Sequence, residues 1–147
     1  MEKVIVKIVR ENDKIELPKY ETSGAAGMDV RANIKEPVTL APGAIKLIPA
    51  GLKVEIPLGY ELQVRPRSGL ALKYGLGMAN SIGTIDSDYR GEIGVIAINL
   101  SDKPYTIKPE ERIAQLVLNK VEQIEWVEVT ELGITERGAG GYGHTGK

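Results

Sequence analysis

The chain has no cysteine and no phenylalanine, and only one tryptophan and one histidine among its 147 residues. Without cysteine there is no disulfide to staple the fold and no thiol nucleophile; with a single imidazole there is no histidine-rich metal site, so any metal must be held by oxygen atoms. The missing phenylalanine leaves the core to valine, isoleucine and leucine. An excess of one charge is also lacking: 19 basic residues face 20 acidic ones, a net charge of −1. That balance excludes a strongly basic nucleic-acid surface and gives no reason to expect a membrane surface. No apolar run approaches membrane-spanning length. The N-terminal "MEKVIVKIVR" interleaves charge with apolar residues and lacks the apolar block and small-residue cleavage site of a secretory leader. A cytoplasmic protein is predicted, with neither nucleic acid nor membrane as partner, and the length suits one domain with a real core.

What is present is a series of short apolar runs between turn signals: "VIVKIV" (4–9), "AIKLIPA" (44–50), "LKVEI" (52–56), "YELQV" (60–64), "IGVIAIN" (93–99), "RIAQLVL" (112–118) and "IEWVEV" (124–129). Many alternate with period two, as half-buried strands do. Eight prolines punctuate them and deny long helices. Only "SGLALKYG" (68–75) reads as a helical turn or two, ended by Gly75. The pattern predicts an all-β sandwich, jelly roll or barrel, whose sheet edges symmetric association would cover.

Four segments pack polar residues among glycines. In "AAGMDVRA" (25–32), Asp29 follows Gly27 into a strand and, taken alone, is a turn residue or cap. In "RPRSGLALKYG" (65–75), Ser68 opens the helical segment behind Arg65 and Arg67, either as a simple N-cap or as part of an anion site where helix-start N–H groups, a hydroxyl and an arginine converge. The stretch "ANSIGTIDSDYRGEI" (79–93) predicts a β-hairpin, with Gly83 and Gly91 allowing tight turns. Asp86, Asp88 and Arg90 could form a solvated tip, but a carboxylate held on a stiff arm after Thr84 and Ile85 can serve as a general base. In "ERIAQLVL" (111–118), Gln115 sits in an otherwise apolar strand, as an outward-facing residue would.

The glycine-rich "RGAGGYGHTGK" (137–147) contains G-x-G-x-x-G at Gly138, Gly140 and Gly143. That fingerprint works between a strand and a helix, and no helix fits in the residues that follow, so the dinucleotide reading is set aside. The segment has no apolar periodicity and reads as a disordered terminus. Arg137, Tyr142, His144 and Thr145 nevertheless supply charge, a stacking ring and donors.

Together, and in order, "AGMDVRA", "RPRSGLA", "GTIDSDYRGEI", "RIAQLVL" and "RGAGGYGHTG" resemble the five motifs of the trimeric dUTPase family, enzymes that hydrolyse deoxyuridine triphosphate. The resemblance spans residues 25 to 146. It implies an all-β, jelly-roll-like (β-clip) subunit over residues 1–136 in a homotrimer whose active sites are each assembled from three chains. Residues 137–147 would be a mobile lid, disordered in the free enzyme and ordered on binding. The resemblance also implies in-line attack of water on the α-phosphorus of dUTP, giving dUMP and pyrophosphate, which keeps uracil out of DNA and supplies dUMP for thymidylate synthesis. Asp86 corresponds to the carboxylate that activates the water. Asn80 and the backbone of Gly83, Thr84 and Ile85 would bond the uracil edge and reject a C5 methyl, and Tyr89 would lie against deoxyribose and exclude a 2′-hydroxyl.

On the phosphate side, Arg67, Ser68 and Gly69 would hold the chain from one flank and Gln115 from another, with Mg²⁺ bridging the three phosphates and keeping several waters. Asp29 resembles a carboxylate that supports either the deoxyribose pocket or the water shell of the metal. Arg137, Gly143 and Thr145 would close over the γ-phosphate and Tyr142 would stack on uracil. His144 stands where the family commonly has serine, and either donates one bond to phosphate or has no role. Two other readings share the fold: a dCTP deaminase, whose motifs fit less well, and a non-catalytic nucleotide-sensing module, against which the retained Asp86 argues.

Overall fold

The computed structural model describes residues 1–146. Its strands are β1 (Lys7–Arg10), β2 (Gly27–Arg31), β3 (Val38–Leu40), β4 (Ile45–Pro49), β5 (Leu52–Glu55) and β6 (Tyr60–Pro66), then, after the helix α1 (Ser68–Tyr74), β7 (Leu76–Met78), β8 (Gly83–Ile85), β9 (Gly94–Asn99), β10 (Tyr105–Ile107) and β11 (Arg112–Lys120). Pairing is antiparallel throughout. A four-stranded sheet runs β2-β11-β6-β8, a three-stranded one β4-β9-β7, and two-stranded ribbons join β1 to β5 and β3 to β10. This is the expected all-β, jelly-roll-like architecture.

Period-two burial sets the layers. In β9 every second residue is buried, with Val95, Ala97 and Asn99 facing in. The core is aliphatic, as the missing phenylalanine requires: Val30, Leu40, Ile48, Leu52, Ile93, Ile107 and Leu116 are its most enclosed large side chains. Each such side chain contributes about 1.5 to 3 kcal/mol on burial. Asn99 is the one buried polar side chain among the described residues. Its amide donates to Leu40 O (3.0 Å) and Lys103 O (2.6 Å), while its Oδ1 accepts from Ser101 N and Oγ.

Six of the seven apolar runs hold a strand. The seventh, 124–129, does not: it pairs with no strand of the described residues, and Trp126 and Val127 remain 86% and 79% exposed. A strand needs a ladder partner and a surface to cover, and this arm finds neither among the described residues.

The expected 79–93 hairpin also needs correction. Its arms do pair, Leu76 opposite Asn99 and Met78 opposite Ala97. The stretch between them is no tip, because β8 leaves that sheet and pairs with β6, Leu62 opposite Ile85 and Val64 opposite Gly83. So long an excursion presents backbone groups that a tight turn would not, and the open edge of β6 satisfies them. Nor is Ser68 the N-cap of α1. The extended run of β6 carries through Arg67 (φ −92°, ψ 130°), so helical dihedrals begin at Ser68 and no side chain caps the helix start. The C-terminus behaves as predicted: Gly75, with φ 67°, donates its N–H to Ala71 O (3.0 Å).

Candidate active site

The 79–93 segment wraps a cavity of about 200 Å³ that residues of both larger sheets help to line: Val64 of β6 and Ile96 of β9 join Asn80, Gly83, Thr84, Ile85, Asp86, Tyr89 and Glu92. Five of the residues expected at the nucleoside (Asn80, Gly83, Thr84, Ile85 and Tyr89) and the expected base Asp86 are therefore in one place, while Tyr142, expected to stack on uracil, is not among them. Ile85 is buried and anchors the strand, while Asp86 immediately after it is exposed. The tight turn beyond is held by Tyr89 N–H donating to Asp86 O (3.2 Å) and by the Arg90 guanidinium, which donates to Ser87 O (2.7 Å) and Tyr89 O (3.1 Å). Tyr89 donates its hydroxyl to Glu92 O (3.0 Å), and Glu92 Oε2 accepts from Gly51 N (3.1 Å) on the β4–β5 turn. On the other side of the cavity Ser81 has a left-handed backbone (φ 62°) and Ile82 N–H donates to Asn80 O (2.7 Å), a strained corner that aims Asn80 at the cavity mouth.

A second group gathers where α1 begins. Asp29 lies directly across from Gln115 in the β2–β11 register, and Gln115 lies across from Arg65 of β6. Arg67 Nε contacts Asp29 Oδ1 at 3.1 Å, and Arg112 stands at 3.6 Å from Asp29 Oδ2. Arg67 also donates to Arg112 O (3.1 Å), and Arg112 reaches Glu21 at 3.7 Å. Gln115 Nε2 donates to Pro66 O (3.1 Å), the carbonyl just before Arg67. A Cβ on Gly27 would run into Gln115 Oε1 and lie 3.3 Å from its Cδ, so glycine there is what lets the amide lie flat. Ser68 and Gly69 are exposed at the helix start, next in the chain to Arg67 of this cluster, where the first N–H groups of a helix have no partner within it. On β6 the two groups part: Val64 lines the cavity and Arg65 stands beside Gln115, and successive strand residues face opposite sides.

Arg112 was missed in the sequence, although it begins the fourth motif. Counted by twos from Gln115 it falls on the opposite face, but a register shift between Arg112 and Ala114 brings it opposite Arg31 and onto the side of Asp29. Glu92 was missed because its partner, Gly51, is 41 residues away. Tyr105 has no direct place in either group. Its hydroxyl donates to Glu111 (2.7 Å) and its ring tilts against Tyr74 of α1, 5.3 Å between centroids. Burial, then the bond to Glu111, pushes its ionisation well above the usual range.

The tail residues join neither group. Arg137 Nε donates to Gly140 O (2.7 Å), Gly146 N–H donates to Gly143 O (2.8 Å), and Tyr142, His144 and Thr145 are exposed. Lys147, the last residue of the expected lid, lies outside the described residues. No helix follows the G-x-G-x-x-G glycines among those described.

A family model described as dUTPase matches residues 13–146. The chain is 66% identical over 147 residues to the deoxyuridine 5'-triphosphate nucleotidohydrolase of Fusobacterium nucleatum, covering 100% of both chains. Among solved structures it is similar to the dUTPase of Staphylococcus bacteriophage 80alpha with dUPNHPP (TM-score 0.86, 26% identity, 97% of this chain and 99% of that one). It shares its fold with a mutant dUTPase from phage phi11 of S. aureus that coordinates a structural Mg(II) ion (TM-score 0.77, 23% identity, 87% and 98% covered). On the match over nearly its whole length and the identity to a full-length relative, this chain belongs to the dUTPase family.

Proposed function

We propose that the protein hydrolyses dUTP to dUMP and pyrophosphate. The observation that carries this reading is the exposed Asp86 carboxylate at a cavity that Asn80, Tyr89 and residues 83–85 also line. Water attacks the α-phosphorus while Asp86 takes its proton. The new P–O bond forms as the bond to the α,β-bridging oxygen breaks, and pyrophosphate leaves. Arg67, Ser68, Gly69 and Gln115 steady the phosphates, and Asp29 holds Arg67 and Arg112 in place. The position of Asp29 among the phosphate residues supports a role there over one in the deoxyribose pocket.

Mg²⁺ belongs to the substrate as its triphosphate complex. Both Asp29 oxygens already face guanidinium groups, and the described residues form no cluster of three acidic or imidazole ligands, a donor set that fits an ion held by phosphates and water. The bound ion neutralises charge on the phosphate chain.

The working unit in this reading is a homotrimer with shared sites. Three observations support it. The outer face of β4 and β9 is apolar and uncovered, with Ile45 opposite Ile98 and Leu47, 67% exposed, opposite Ile96. Residues 121–136 leave the body with Ile124, Trp126, Leu132 and Ile134 bare. A further apolar groove of about 240 Å³, lined by Val6, Ile8, Leu17, Met28 and Leu118, lies open. The arm carries residues 137–147 to a neighbour, where Arg137, Gly143, His144 and Thr145 meet phosphate and Tyr142 stacks on uracil, closing as a lid. No helix among the described residues is long and apolar enough to cross a membrane; a cytoplasmic enzyme, working where nucleotides are made and used, is the location that goes with the proposed reaction.

Product analysis with Mg²⁺ and, separately, dUTP, dCTP, dTTP and UTP tests the chemistry. Pyrophosphate and dUMP from dUTP alone is the expected result. Deamination of dCTP, or tight dUTP binding without turnover, refutes it. Mixing inactive Asp86→Asn protein with inactive protein ending at residue 136 should restore activity if sites are shared between chains.

A further inference from the structure

We infer that Gly91 is a specificity-determining residue: its missing side chain is the space in which the Tyr89 ring is seated. The inference rests on the proposed role of Tyr89 against the sugar. Backbone conformation does not call for glycine at 91, since its φ lies outside the left-handed range that glycine is needed for. Space does. A Cβ on residue 91 would collide with the Tyr89 hydroxyl oxygen, and would lie 2.5 Å from Cζ and 2.9 Å from Cε2. The ring thus lies folded back along its own turn, directly over the glycine.

Everything else in the turn fixes where that ring can be. Its backbone is tied to Asp86 O, and its hydroxyl donates to Glu92 O at 3.0 Å. Glu92 is referred in turn to the β4–β5 turn by its carboxylate on Gly51 N, and Ile93 N–H donates to Leu52 O at 2.8 Å. With both ends of the turn anchored, a methyl group at 91 cannot be absorbed by moving the backbone, so the phenol must swing off its seat and toward solvent, where Tyr89 is already 45% exposed. The wall that excludes a 2′-hydroxyl then opens, although no residue touching the substrate has been changed. Gly91 acts through Tyr89 as a positioning residue.

The test compares kcat/KM for dUTP with that for UTP, both with Mg²⁺, in the unaltered protein, Gly91→Ala, Tyr89→Ala and the double variant. The preference for dUTP should fall about ten-fold or more in Gly91→Ala, as expected when a pocket loses one close contact. The double variant should match Tyr89→Ala alone, because a residue that works only through Tyr89 has nothing further to remove. An unchanged preference in Gly91→Ala while Tyr89→Ala loses it overturns the inference and leaves the role of Tyr89 standing. An unchanged preference in both overturns the two together, and an additional loss in the double variant overturns the route through Tyr89. If Gly91→Ala does not accumulate as folded protein, the double variant carries the test: with the colliding ring removed it should fold as Tyr89→Ala alone does, and failure of the double variant as well overturns the inference.

Discussion

Replacing Asp29 by asparagine keeps the shape of the side chain and removes the charge between two guanidinium groups. At an effective dielectric near 20, an ion pair at the 3.1 Å separation of Asp29 and Arg67 would be worth roughly 5 kcal/mol. The side chains of Asp29, Arg67 and Arg112 keep 22%, 33% and 37% of their exposure, so water screens most of that. About 1 to 3 kcal/mol should remain, including the repulsion of Arg67 and Arg112 once nothing lies between them. For a chain of this size that lowers the melting temperature by roughly 3 to 10 °C at fixed protein concentration. The triphosphate brings its own negative charge to the same arginines. A saturating non-hydrolysable dUTP analogue should therefore raise the melting temperature of Asp29→Asn by more than it raises that of the unaltered protein. Thermal unfolding by circular dichroism, with and without the analogue, reads both effects. An Asp29→Asn protein as stable as the original, or one that gains less from the analogue, would refute the charge argument.

Asp86→Asn should lower kcat by about 10²- to 10⁴-fold with little change in KM, since the amide cannot accept the proton of the attacking water; steady-state kinetics decide it, and an unchanged kcat removes Asp86 as base. Gly27→Ala should push the Gln115 amide off Pro66 O, removing about 1 kcal/mol of hydrogen bonding and raising KM for dUTP more than it lowers kcat. Equal KM in the two proteins would show that Gln115 does not need its flat seat. The Tyr105 ionisation is raised in the folded chain, so its share of stability is full below the ordinary tyrosine value of about 10 and drains away as pH climbs past it. Urea unfolding between pH 8 and 11 should show that decline, and Tyr105→Phe should flatten it; an identical decline in the variant assigns the effect to other groups.

The fold class was legible because alternating aliphatic runs and frequent prolines leave an antiparallel sheet protein as the consistent choice. The three-residue strands β3, β7, β8 and β10 were not, because three residues cannot display a period of two. Sheet membership was hidden for a related reason: which open edge β8 would join depends on β6, whose residues lie some 20 positions earlier. The site was legible as residue types in order, and the 79–93 group does assemble around one cavity. Arg112 escaped because the register shift before Ala114 reverses the face that counting predicts, and a bulge leaves no mark in composition. The 124–129 run shows the opposite failure. Its alternation is genuine strand character, yet propensity cannot supply the neighbour that a ladder requires.

The path of residues 76–99 couples the cavity to the completion of the whole domain. Its two ends are stitched into one sheet while β8, midway along, is stitched into the other. Neither sheet alone can shape this space, so a partly synthesised or partly melted chain offers no half-formed binding site to compete for nucleotide. Amide exchange at Thr84 and Ile85 should accordingly proceed by global opening, and dUTP affinity should vanish in the same transition that dissolves the core, with no earlier step of its own.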